Sequence, residues 1–166
     1  MGADMKKTIA LFALGLGTPA AAQDVLIDAT DPAVIARAMQ AEGYKAELTT
    51  NKQGEPVIKS GANGDNFTVE FYGCKGVTGC TSFQFFSWYK KEANFTPTLA
   101  NEWNASKRFI KAAIDKDGDL SIYMDVTGVG KMTQANFADA LDWFAVMQGE
   151  VQKFLAARRT QAASGS

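Results

Sequence analysis

The chain contains no histidine. Serine–histidine and cysteine–histidine couples, imidazole acid–base chemistry and the common zinc and iron sites are therefore out of reach. What could still do chemistry is one pair of cysteines, a bunch of aspartates, scattered carboxylates and a dense run of aromatic rings. The cysteines, Cys74 and Cys80, stand in EFYGCKGVTGCTSFQFFSWY, residues 70–89, at the spacing C-x5-C. A dithiol redox site needs C-x-x-C beside a helix start, and this pair is flanked by strand-like segments. In an exported chain the two thiols are expected to be joined, stapling a hairpin. Closing so short a loop is worth about 2.4 kcal/mol in the chain-entropy model, enough to fix a local turn and too little to hold a domain together.

Asp115, Asp117, Asp119 and Asp125 are bunched as in acidic calcium loops. Counted from Asp115, however, the glycine falls fourth instead of sixth, and Val126 stands twelfth where an EF-hand has glutamate. Alternating apolar residues flank the stretch, so it reads as a polar hairpin turn without metal. Glu70, Glu102 and Asp125 could supply the carboxylate pair of a histidine-independent hydrolase, which is the alternative class. No cofactor signature is present. Three N-x-[ST] triplets begin at Asn66, Asn94 and Asn104; in a bacterial exporter they carry no meaning.

The aromatic run offers binding chemistry. Phe83, Phe85 and Tyr89 fall on one face of a strand and Phe86 and Trp88 on the other. Such a strand is central and covered on both sides, or one face forms an aromatic-lined groove for a ligand or peptide. Phe86 and Trp88, with Trp103 and Trp143 from later helices, are the candidate partner-binding residues. Core burial is the competing fate of each ring.

The elements that must position these residues follow from periodicity. Asp31 can cap a first helix with Pro32 at its first position, Val34, Ile35, Ala38 and Met39 as its apolar stripe, and Gly43 as its stop. The period then changes to two through 44–49, 56–60, 67–72 and 81–89, four strands in an antiparallel meander. Thr96 caps a second helix with Leu99, Ala100 and Trp103 inward. Ile110, Ala112 and Ile114 pair through an Asp-Gly turn with Leu120, Ile122, Met124 and Val126. Thr133 caps a long last helix bearing Phe137, Leu141, Phe144, Val151 and Leu155 along one side. The expected architecture is α+β, with about six antiparallel strands in the order α-β-β-β-β-α-β-β-α packed with helices.

At 166 residues, 46% hydrophobic and 21% charged, the chain has the makings of one domain with a real core. Residues 1–22 show Lys6 and Lys7, an apolar stretch from Thr8 to Leu16, and Ala20-x-Ala22. That is the layout of a signal peptide cleaved after Ala22, and the stretch is shorter than the roughly 18 residues a membrane span requires. The expected organisation is a signal peptide over 1–22, a single domain over 23–157 and a flexible tail over 158–166, with the product periplasmic or secreted and no membrane span in the mature chain. The formal net charge is −1, and the one small basic cluster, Lys107, Arg108 and Lys111, is no phosphate-binding stripe. Nucleic acid is excluded as a partner.

With that order of elements, the segments AEGYKAELTTNKQGEPVIKSGANGDNFTVEFYGC, NEWNASKRFIKAAIDKDGDLSIYMDV and FADALDWF resemble the YbjN family, small bacterial proteins described as sensory-transduction regulators. The likeness covers residues 32–155. It is most specific at Asn101-Glu102-Trp103-Asn104, followed by Lys107-Arg108-Phe109 and the Asp-Gly hairpin. The resemblance implies a curved antiparallel sheet between helices, similar to type III secretion chaperones, and no catalytic activity. It is similar to folds that pair with a second copy of themselves and hold polypeptides in apolar grooves. The signal peptide and the stapled hairpin depart from the cytoplasmic members. The function expected is a non-enzymatic interaction or regulatory domain outside the cytosol, with a protein, a peptide or a second copy as partner; a purely structural envelope protein is the third reading.

Overall fold

A computed structural model describes residues 25–164; the expected signal peptide lies outside them. The elements run β1 (Leu26–Asp28), α1 (Pro32–Ala41), β2 (Glu47–Thr50), β3 (Pro56–Ala62), β4 (Asp65–Tyr72), β5 (Ser82–Tyr89), α2 (Pro97–Ser106), β6 (Lys111–Ile114), β7 (Leu120–Thr127), β8 (Lys131–Thr133) and α3 (Gln134–Ser164). The fold is α+β. Six strands form one antiparallel sheet in the order β2-β3-β4-β5-β7-β6, and β1 pairs β8 in a separate two-stranded ribbon.

The helices start where short polar side chains can take up free amides. Asp31 accepts from the Ala33 N–H at 2.9 Å, Thr96 from the Leu99 N–H at 3.1 Å and Thr133 from the Asn136 N–H at 3.0 Å. Each bond satisfies one donor that the first helical turn leaves unpaired. Proline occupies the first position of α1 and α2, where no N–H is needed.

Side chains opposite one another on neighbouring strands share a face, so the register sorts the sheet in two. Ile58, Val69, Phe85 and Met124 form one inner row, and Phe71, Phe83 and Val126 another. Phe137 and Phe144 of α3 meet this face: Phe144 lies 5.1 Å from Phe67 and 5.3 Å from Phe85, and Phe137 lies 6.2 Å from Phe83. Ile35 and Met39 of α1 and Trp103 of α2 are buried in the same core. All three described helices thus cover one side of the sheet.

A polar seam fixes where α3 sits. Gln148 is fully buried and donates through Nε2 to the Ser87 Oγ at 2.7 Å, while Gln152 and the Tyr89 hydroxyl both donate to Asp65, at 2.7 and 3.0 Å. Burial, reinforced by the Asp65 carboxylate, pushes the Tyr89 phenol upward.

The structure corrects three expectations. β5 is central, as its two apolar faces predict, yet no described element covers its outer face, because every described helix takes the inner one. Residues 158–164, expected as tail, continue α3; Arg158 pairs Glu102 at 2.8 Å, and Arg159 donates through Nε to Glu92 at 2.7 Å. The strands β1 and β8 went unread, since three residues are too few to show a period.

Candidate partner-binding surface

The cysteines are joined, and they pin a turn. Inside the Cys74–Cys80 ring the Lys75 N–H donates to the Thr78 carbonyl at 2.8 Å, and the Cys80 N–H donates outward to Thr30 at 2.9 Å. Gly73 has a φ of +63°, and a Cβ there would collide with the Thr81 hydroxyl, so the chain can enter the ring only through glycine. The 1% exposure of Cys80 places its sulfur in the core. This geometry anchors the β4–β5 connection against the start of the domain.

With the hairpin held, the outer face of the sheet is set. Lys59, Thr68, Phe86, Tyr123 and Lys111 form one row across five strands, and Val57, Glu70, Gln84 and Asp125 form the next. Trp88, opposite Ser121, stands at the end of the aromatic bed and is 53% exposed. Its Nε1 donates to Asp119 at 3.0 Å, which orients the ring without burying it. Gln84 donates to Asp125 at 2.7 Å, and the Tyr72 hydroxyl donates to Glu70 at 3.0 Å. Partial burial and then the Glu70 charge push the Tyr72 phenol up to about 12. The face is an aromatic bed with amides and carboxylates on one side, Lys111 at one end and Lys59 beside Glu47 of β2 at the other. It offers apolar contact and hydrogen bonding.

The four sequence candidates do not share this surface. Phe86 and Trp88 lie on it, with Tyr123 beside Phe86. Trp103, 1% exposed, is inside the core; its Nε1 donates to the Ile110 carbonyl at 3.1 Å and its ring meets Phe154 at 5.5 Å. The aromatic surface expected to combine Phe86 and Trp88 of the fourth strand with Trp103 of the second helix is therefore not formed among the described residues, because α2 packs on the inner face of the sheet. Trp143 lies on α3, stacked on Phe109 with centroids 4.4 Å apart. Phe109 has a φ of +68°, and the Ile110 N–H donates to the Arg108 carbonyl at 2.9 Å, closing a positive-φ γ-turn. Such a conformation in a bulky residue costs roughly 1–3 kcal/mol. Neither the γ-turn nor Tyr123 was legible from residue types: the first depends on a backbone angle and the second on register.

The three carboxylates do not share one site either. Glu70 and Asp125 flank Gln84 on the open face, whereas Glu102 is engaged by Arg158 in the helix layer. Asp115 accepts from the Asp117 and Asp119 N–H groups at 2.9 Å each, and Asp119 from the Lys91 N–H at 2.7 Å. These carboxylates hold a turn whose Gly118 has a φ of +84°. Among the described residues no group of three or more His, Cys, Asp or Glu side chains could hold a metal ion.

A family model for YbjN, described as "Putative bacterial sensory transduction regulator", matches residues 31–153. The chain belongs to the YbjN family. The YbjN match opens at the Asp31 cap, takes in the whole six-stranded sheet with the disulfide turn, and ends within α3, while β1 lies before it. A family of regulators accords with a non-catalytic role. No curated protein and no solved structure matches the chain. Among the described residues no helix is long and apolar enough to cross a membrane.

Proposed function

We propose that the protein is a non-enzymatic regulatory domain of the bacterial periplasm or exterior that binds a polypeptide on the open face of its six-stranded sheet. The observation that carries this reading is the one-sided cover: the central strand presents Phe86 and Trp88 outward beside Tyr123, while every described helix packs on the other side. An exposed Trp88 ring beside the half-buried Phe86 and Tyr123, among amides and carboxylates, suits a peptide, which offers apolar side chains and backbone donors together. Nucleic acid would want a cationic stripe, and the two lysines of the aromatic row stand apart, Lys59 next to Glu47 and Lys111 beyond Tyr123. The disulfide supports an oxidising compartment, and the Ala20-x-Ala22 layout supports export.

A direct test captures partners from envelope extract on the wild-type protein and on a Phe86→Ser/Trp88→Ser variant, with folding of both verified by near-UV circular dichroism. The expected result is a polypeptide retained by the first and lost from the second. Identical captures on both would refute the surface. Mass spectrometry of exported material should show Gln23 as the first residue, with no free thiol. Full-length precursor inside the cell would refute the compartment.

A further inference from the structure

The helix layer carries a second apolar surface, separate from the sheet face. Phe109 is 42% exposed, Trp143 37% and Val146 47%. Trp143 and Val146 are three residues apart on α3, hence neighbours on one flank, and Phe109 is laid onto that flank by its γ-turn. A strained backbone that holds a large ring against solvent does nothing for the core, which points to a use outside the chain.

Charge says what that use is. Lys107 is paired with Glu150 at 3.2 Å, so residues 107–109 run alongside α3 from Glu150 back to Trp143. Arg108, between them, lies over the Phe109 ring at 5.0 Å and has no carboxylate partner among the described residues. At the other end of the patch Asp139, one turn before Trp143 on the same flank, is exposed and has no cation partner among the described residues. The surface thus carries a free cation at one end, a free anion at the other and stacked aromatic rings between. A two-fold axis through the rings exchanges the ends and brings opposite charges together.

We propose that this surface docks a second copy of the chain, with α3 antiparallel to α3, the Phe109–Trp143 pairs at the centre and Arg108 of each copy against Asp139 of the other. The Arg108 guanidinium can keep its aromatic contact while its donors meet a carboxylate edge-on. A dimer built this way leaves both sheet faces uncovered, so it offers two polypeptide sites per assembly. It stands or falls independently of those sites.

Sedimentation equilibrium of the purified protein over about a hundredfold concentration range tests it. The wild type should reach twice the monomer mass. Trp143→Ala should abolish association, and Arg108→Asp or Asp139→Arg alone should weaken it at least about tenfold. The double reversal Arg108→Asp/Asp139→Arg should recover it, an outcome that loss of folding could not produce. A wild-type monomer throughout the range, a dimer indifferent to Trp143→Ala, or single reversals without recovery in the double variant would each overturn the proposal.

Discussion

The three tryptophans show how little a residue type says about its duty. Trp103 is enclosed by α2, α3 and the start of β6 and spends its N–H on a backbone carbonyl. Trp88 spends its N–H on the Asp119 side chain and leaves its ring in water. Replacing Trp103 with alanine should lower unfolding stability by about 3–5 kcal/mol, the cost of a large cavity in a packed core. Trp88→Ala should cost about 1 kcal/mol or less, as a surface change that removes one hydrogen bond. Urea titrations followed by circular dichroism compare the two directly. A Trp88 variant as damaged as the Trp103 one would mean that the outer face is covered in solution.

At the scale of elements, the two edges of the sheet are treated differently. Asn104 of α2 donates through Nδ2 to the Ala112 carbonyl at 2.9 Å and accepts from the Ala112 N–H at 2.8 Å. One side chain amide thereby closes the free ladder of β6, standing in for a neighbouring strand. Asn104 is part of the segment that marks the family resemblance most specifically, and the edge clamp gives that segment a physical duty. Asn104→Ala should lose both bonds, lower stability by about 1–3 kcal/mol and promote aggregation through the opened edge. Denaturant titration and light scattering would show both effects; an unchanged transition would deny the clamp. At the opposite edge Gln40 of α1 donates to the Ala46 carbonyl just before β2 at 3.1 Å, and Leu48 of β2 lines a cleft of about 420 Å³ with Pro32, Pro56 and Val77 at the tip of the disulfide turn.

At the scale of the whole molecule, ion pairs tie the end of α3 to the segment before α2 and to α2 itself. Hydrogen bonding from Arg159, and then its charge, hold the Glu92 carboxyl below its ordinary value of 4.5, and Lys153 and Lys107 lower Glu150 in the same sense. A carboxyl depressed by folding contributes its stability in full above the unfolded value and loses it as pH falls through the folded one. The melting temperature should therefore decline as pH is lowered from about 4.5, and Glu92→Gln should flatten that decline while slightly lowering the plateau above it. Thermal melts across the acid range check the sign. A steeper acid limb in the variant would contradict the pairing.

Periodicity and end signals determined most of the elements. Period two located the six strands of the main sheet, and Asp31, Thr96 and Thr133 located the helix starts, because these signals act within a few residues of chain. The cysteine pair was equally legible, since both thiols belong to one tight reversal. Tertiary structure alone decided which apolar face of β5 is covered, since cover depends on where α1, α2 and α3 dock after hundreds of ångströms of extended chain have collapsed. It likewise decided that Trp103 goes inside while Trp88 stays out, and that Phe109 is turned onto Trp143. Burial, unlike period, belongs to the packing of distant segments, and two tryptophans identical in composition can be separated only by what comes to lie against them.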